Sequence, residues 1–197
     1  MPVNGFQVDF RDNGARLAFP VKPSLPELAE FRVDYDPGAH PREFVNRGGG
    51  RQAIRPLAML GPTLALLDGE TLSVVGDITF ETSRQEIPTS PSADSDPMPT
   101  WNWIRDDRRV TSYQAVISEA QASLKFWRRG ETGEHHHDVV DYLVEDPVDT
   151  GVSTNRGGFI RTARPIALFL PTLYVLRNHT SVWLSEAGDL TATRSVI

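Results

Sequence analysis

The sequence predicts an all-β protein, a sandwich or barrel of short strands with one or two short helices, and three observations carry that expectation. Alternating or apolar segments recur along the chain, at residues 6–10, 16–19, 31–35, 138–144, 159–170, 173–176 and 181–184, the period-2 texture of half-buried strands. Turn chemistry separates them at Asp12-Asn13-Gly14, Asp36-Pro37-Gly38, Asp68-Gly69 and Ala187-Gly188-Asp189, where Gly supplies positive φ and Asp or Pro starts the bend. A run from Ala53 to Thr82 reads as two longer strands on either side of Asp68-Gly69. In its second half Ile78 and Phe80 point one way, and Asp77, Thr79 and Glu81 the other.

Between these segments the chain departs from strand patterning in three places. Tyr113, Val116, Ile117, Ala120, Leu124 and Trp127 recur at helical spacing, with Ser112 as N-cap and Gly130 as C-cap, so a helix is predicted there. Residues 86–100 form a Pro/Ser/Asp loop with Pro88, Pro91, Pro97 and Pro99, too rich in proline for a central strand. Gly48-Gly49-Gly50 and Asn155-Arg156-Gly157-Gly158 read as hinges, without the glycine spacing that cradles phosphate. The strands are read as unrelated to one another, with no internal repeat.

With 197 residues, 39% of them apolar, the chain can bury the core of one compact domain. Zero cysteines exclude a disulfide framework, a thiolate nucleophile and Cys-ligated zinc. The N-terminus has no signal-like pattern, and no apolar stretch reaches the roughly 18 residues needed to span a bilayer, so a soluble, unprocessed chain with no membrane partner is expected. The net charge of -6 argues against a grip on nucleic acid through overall charge. Eighteen arginines against two lysines reflect a GC-rich genome first, and arginine also suits interfaces and phosphate contacts.

Three constellations could carry function. Trp101 and Trp103 precede Arg105, Arg108 and Arg109, and Phe126-Trp127 precede Arg128-Arg129. Such pairs anchor protein interfaces or stack on bases beside neutralised phosphates. Seven carboxylates lie between Glu131 and Asp149 with no Lys or Arg among them, including Asp138, Asp141, Glu145, Asp146 and Asp149. They make an ion-sensitive seam where Ca²⁺ could sit at subunit contacts. Histidines bordering it would have raised pKa values and sense pH near 6 to 7. On a strand, His135 and His137 share a face, and with Asp141 and His179 could hold Fe, Mn or Zn in an arrangement similar to that of cupins. No Gly-x-Ser-x-Gly elbow exists, and an enzyme is not expected.

Two segments resemble the jelly-roll coat proteins of small positive-strand RNA viruses, particularly poleroviruses and sobemoviruses. Residues 52–81 match a long apolar strand leading by a polar turn into Gly76-Asp77-Ile78-Thr79-Phe80-Glu81. Residues 153–168, with Gly158-Phe159-Ile160-Arg161-Thr162 and Ala167-Leu168, are similar to a late strand of polerovirus coats. The resemblance implies that the all-β fold is an antiparallel jelly-roll β-sandwich with one or two short helices, and that the chain is a capsid subunit that self-assembles around an RNA genome, in virions and in host cytoplasm during assembly, with barnaviruses as a fitting group. It implies a partly extended N-terminal segment, 1–50, before a shell domain, 51–197, and as partners other copies of itself and sequence-independent RNA. No cofactor is implied beyond a divalent cation at subunit contacts. The chain departs from the family in lacking a basic arm, since Met1 to Lys22 holds only Arg11, Arg16 and Lys22 against Asp9 and Asp12, and in lacking the paired Asp after Phe80. A cupin-like metal enzyme, and a structural subunit of a tailed phage or bacterial assembly, are the alternatives.

Overall fold

The computed structural model describes residue 3 and residues 5–20, 29–45, 49–69, 72–87, 105–131, 133–145, 151–178 and 181–193. The chain is mostly β-sheet with two short helices and more than one sheet. Its contacts divide it into two compact units, residues 1–83 with 116–122, and residues 84–115 with 123–197. Residues 1–50 and 51–83, separated in the sequence reading, lie in one unit.

The first unit holds β1 (Gln7–Arg11), β2 (Gly14–Pro20), β3 (Ala29–Asp36), β4 (Arg42–Val45) and β5 (Arg51–Pro56), ordered β1-β2-β3-β5-β4. A 3-10 turn (Leu57–Met59), helix α1 (Leu60–Gly69) and a hairpin of β6 (Leu72–Val75) and β7 (Thr79–Thr82) follow. The core lies on one face of the sheet, where Leu17, Phe19, Phe31, Val33 and Tyr35 are buried. Phe19 stacks on Phe31 at 4.4 Å between ring centroids, and Phe80 of β7 tilts against both. Large buried aromatics of this kind dominate core energetics.

The second unit begins with the short β8 (Gln85–Glu86), and a 3-10 turn (Asp106–Arg108) leads into β9 (Val110–Ile117) and β10 (Gln121–Arg128). Then come β11 (Asp138–Leu143), β12 (Ser153–Thr154) and β13 (Ile160–Pro165). The order β12-β13-β11-β10-β9 matches that of the first unit, strand for strand. A 3-10 turn (Ile166–Leu168), helix α2 (Phe169–Asn178) and a separate hairpin of β14 (Ser181–Leu184) and β15 (Leu190–Thr193) complete it. The tip of the β9–β10 hairpin, residues 116–122, belongs to the first unit, where β9 pairs antiparallel with β7 at Phe80↔Ile117 and Glu81↔Val116.

The two halves are an internal repeat, a relation the sequence reading misses. Ala15-Arg16-Leu17-Ala18-Phe19 corresponds to Ala122-Ser123-Leu124-Lys125-Phe126, and Val33-Asp34-Tyr35 to Val140-Asp141-Tyr142, each pair 107 residues apart. Arg55-Pro56 and Pro62-Thr63-Leu64 correspond to Arg164-Pro165 and Pro171-Thr172-Leu173. The contacts repeat with the letters. The Tyr35 hydroxyl donates to Thr63 Oγ1 at 2.9 Å and Thr63 donates to the Met59 carbonyl; Tyr142 donates to Thr172 Oγ1 at 3.1 Å and Thr172 to the Leu168 carbonyl. Arg55 donates to the carbonyl of Ile78 in the β6–β7 turn, and Arg164 to that of Ala187 in the β14–β15 turn. Both turns contain a glycine at positive φ, Gly76 at 51° and Gly188 at 80°, a conformation that costs other residues strain.

Two expectations about local structure are reversed. The apolar run at 57–67 is helical: Pro56 and Pro62 remove donors a central strand needs, yet they are tolerated where a helix begins, and Met59, Pro62, Thr63 and Leu66 form the buried stripe. The expected helix at 113–127 is the β9–β10 hairpin. There Ala115 and Ile117, then Ala122, Leu124 and Phe126, are buried in alternation around a tight turn in which Ser118 N–H donates to the Gln121 carbonyl. The strand pairs β3–β5 and β11–β13 are parallel, where a jelly roll pairs its strands antiparallel. The all-β expectation itself holds, with two short helices.

Candidate functional site

The arginines singled out in the sequence are mostly absorbed by the fold of the second unit. Arg108 is buried: its Nε donates to the Leu184 carbonyl and its Nη2 to the Ser185 carbonyl, both at 2.8 Å. Its Nη2 also lies 3.6 Å from Asp138 Oδ2, and Arg128 Nε lies 3.2 Å from the same oxygen. The fully buried Asp138 uses its other oxygen to accept from Ile160 N–H at 2.8 Å. Burial pushes the Arg108 pKa down, and Asp138 opposes that shift. Arg128 lies over the Phe159 ring at 4.8 Å. Arg105 is exposed and bonded to Asp107, Arg109 reaches Ser181 Oγ at 3.4 Å, and Arg129 is exposed. Trp101 and Trp103 lie outside the described residues.

Two members of the acidic seam are likewise engaged. Asp141 Oδ1 accepts from Ser123 Oγ and Oδ2 from Arg161 Nε, both at 2.7 Å. The repeat explains this position. Asp34, its counterpart on β3, accepts from Arg16 Nε at 2.6 Å and from Gln52 Nε2 at 2.5 Å, so each half sets a carboxylate on its third strand between donors from the flanking strands, with the cation on opposite sides. Glu145 is exposed, and Asp146 and Asp149 lie outside the described residues.

Of the histidine set, His135 is exposed and His137 half-buried, with Nδ1 of His137 2.8 Å from the Glu134 carbonyl and its ring 5.0 Å from that of Trp127. His179 lies outside the described residues. Burial pushes the His137 pKa down, the opposite of the rise expected beside an acidic patch, and outweighs the Glu134 carbonyl and Asp138, which act upward. Among the described residues, no group of three or more His, Cys, Asp or Glu side chains could hold a metal ion. A cleft of about 690 Å³ in the second unit is lined by Arg105, Arg108, Ser185, Glu186, Asp189 and Thr191 among others, a wall of mixed charge whose Arg108 and Asp189 are both partnered.

What the sequence reading overlooks is the rim of the first sheet. Every residue of β1 is exposed, and Phe10 keeps 69% of its surface in solvent. Val8 and Phe10 lie opposite the buried Leu17 and Ala15 of β2, so the apolar face of the sheet runs past its covered part onto the edge. At the other edge, β4 exposes Phe44 and Val45. An exposed apolar edge strand offers unpaired N–H and C=O groups together with apolar side chains, which is what another strand needs in order to add to it. Comparison with protein-family models, with curated proteins and with solved structures finds no match.

Proposed function

We propose that this chain is a structural subunit that assembles with other copies of itself through open strand edges. The observation that carries the reading is β1, an edge strand among the described residues with Val8 and Phe10 exposed, supported by Phe44 and Val45 on β4. Soluble chains ordinarily blunt such edges with charge, proline or bulges. The polar groups most suggestive of chemistry, Arg108, Arg128, Asp138 and Asp141, are engaged in hydrogen bonds or ion pairs within the second unit.

In its narrower form this is the viral coat reading, a jelly-roll shell around RNA. The parallel pairs β3–β5 and β11–β13 weigh against that form. So does the internal repeat, because the two segments that resemble coat strands both contain the same strand and 3-10 turn, as equivalent elements of the two halves. The broader reading covers rings, tubes and shells alike.

Size-exclusion chromatography with light scattering, followed by negative-stain microscopy, tests it. Discrete assemblies are expected, and closed shells would restore the coat form. A monomer at every salt concentration and pH would overturn the proposal. So would near-stoichiometric Fe, Mn or Zn that is lost on His135→Ala with His137→Ala.

A further inference from the structure

The repeat shows what β1 lacks. Strand β1 corresponds to β9 at the same separation of 107 residues, and both turn into the next strand through two residues, Asp12-Asn13 and Glu119-Ala120. Phe10 therefore corresponds to Ile117, Asp9 to Val116 and Val8 to Ala115. On β9 the outer edge is occupied: β7 pairs with it at Ile117 and Val116, and Ile117 and Ala115 are fully buried. On β1 no further strand pairs among the described residues.

The strand that covers β9 closes the first repeat's hairpin, and its counterpart is β15, which closes the second. Hairpin β14–β15 forms a two-stranded sheet, and β15 pairs with β14 alone among the described residues. One strand edge therefore waits at the start of the repeat array and one strand at its end. We infer that β15 of one molecule adds antiparallel to β1 of the next, reproducing between molecules the β7–β9 junction present within each chain. Both β7 and β15 have four residues, so the third of each, Glu81 and Ala192, correspond, and the pair Glu81↔Val116 becomes Ala192↔Asp9.

Phe10 would then be covered as Ile117 is. A contact between two different surfaces is heterologous, so it propagates head to tail and gives rings if the rotation closes and filaments if it does not. The inference rests on the structural-subunit reading and specifies the surfaces that reading uses.

The absence of cysteine makes a direct test clean. Asp9→Cys and Ala192→Cys are made singly and together in the full chain, cross-linked with a short bis-maleimide and run on denaturing gels. The double variant should give a ladder of dimer, trimer and larger species, and mixed single variants should give a heterodimer. Either a cross-link confined within one chain, or efficient dimerisation of Asp9→Cys alone, would overturn the pairing. In parallel, Phe10→Asp should abolish assembly with thermal stability retained, because Phe10 is exposed. Assembly that survives Phe10→Asp and gives no ladder would overturn this inference and leave the structural-subunit reading standing; a chain that never assembles overturns both.

Discussion

The two repeats build one scaffold around opposite chemistries at the same position. In the first, Phe31 at the third strand completes a ring cluster with Phe19 and Phe80. In the second, the residue 107 positions on is Asp138, fully buried between Arg108 and Arg128, while Phe126 takes the place of Phe19. An aromatic cluster is stabilised by area removed from water, whereas a buried ion cluster is stabilised only as long as every member keeps its partner. The backbone, the Tyr-to-Thr hydrogen bond and the arginine over the hairpin turn survive the exchange. The fold is thus set by strand order and turn chemistry, and the filling of a given core site is negotiable.

The sharpest way to break that comparison is to remove one partner from the ionic centre. Asp138→Ala should cost about 3–5 kcal/mol, because it leaves two arginines without their carboxylate in the interior. Phe31→Leu, which keeps the first site apolar but loses the stack on Phe19 and opens a small cavity, should cost less, about 1–2 kcal/mol. Urea unfolding of both variants checks the contrast. Equal small losses would mean that Asp138 does not hold its half together.

The turn arginines should differ in sign. Arg164 donates to Thr162 Oγ1, the carbonyls of Ala163 and Ala187, and Asp189 Oδ1. Arg55 is 1% exposed and reaches one carbonyl, while its Nε and Nη1 are buried without a hydrogen-bond partner among the described residues. Burial accordingly pushes the Arg55 pKa down. Arg164→Met should cost about 1–2 kcal/mol, and Arg55→Met should range from neutral to a gain of about 1 kcal/mol, since it removes an incompletely paired buried charge. A larger loss for Arg55→Met than for Arg164→Met would reverse the comparison.

Removing the shared hydrogen bond should cost about 0.5–1.5 kcal/mol in each repeat. Tyr35→Phe belongs at the upper end, since both Tyr35 and Thr63 are buried, whereas Thr172 reaches solvent. The Tyr142 hydroxyl is also pushed up to about 12 by burial. The folded chain holds that proton longer than the unfolded one, so the contribution of Tyr142 is intact below pH about 10 and is lost as pH rises toward 12. Burial raises the Tyr35 hydroxyl as well, so phenolate absorbance should show more than one late-titrating tyrosine, and Tyr142→Phe should remove the one that titrates near 12.

These pairings explain what was legible in the sequence and what was not. Strands β2, β3, β11 and β14 stand out because their alternating or apolar runs are bounded by turn residues, and the all-β class follows from them. The run at 57–67 has no polar residue but Thr63 to mark a period, and apolar runs of that length suit a buried strand or a buried helix equally; only Pro56 and Pro62 distinguish them. Tyr113, Ile117 and Leu124 satisfy the helical period by coincidence, while Ala115 and Ala122, small enough to overlook, carry the strand period. The repeat survives only as short words, of which Arg-Pro followed by Pro-Thr-Leu is the most readable. The acidic stretch looked unpaired because its cations, Arg108, Arg128 and Arg161, come from elsewhere in the sequence. The open edge at Phe10 could not be read at all, since alternation marks a strand's faces and says nothing of its neighbours.

The smallest expected effect concerns the histidine loop, residues 133–137. His137 packs against Trp127, whose ring also carries Arg84 at 4.6 Å, and Lys125 and His135 add positive charge, while the Glu134 carbonyl and Asp138 act in the other direction. Burial is the main reason that its pKa lies below the ordinary value. The unfolded chain therefore binds the proton first as pH falls, so the stability contributed by neutral His137 is present above pH about 6.5 and is lost as pH drops through that value toward the folded pKa. The melting temperature should decline between pH 7.5 and 5.5, and His137→Gln should reduce the decline. An unchanged slope in His137→Gln would assign the acid sensitivity to other groups and leave the loop a passive cover over Trp127.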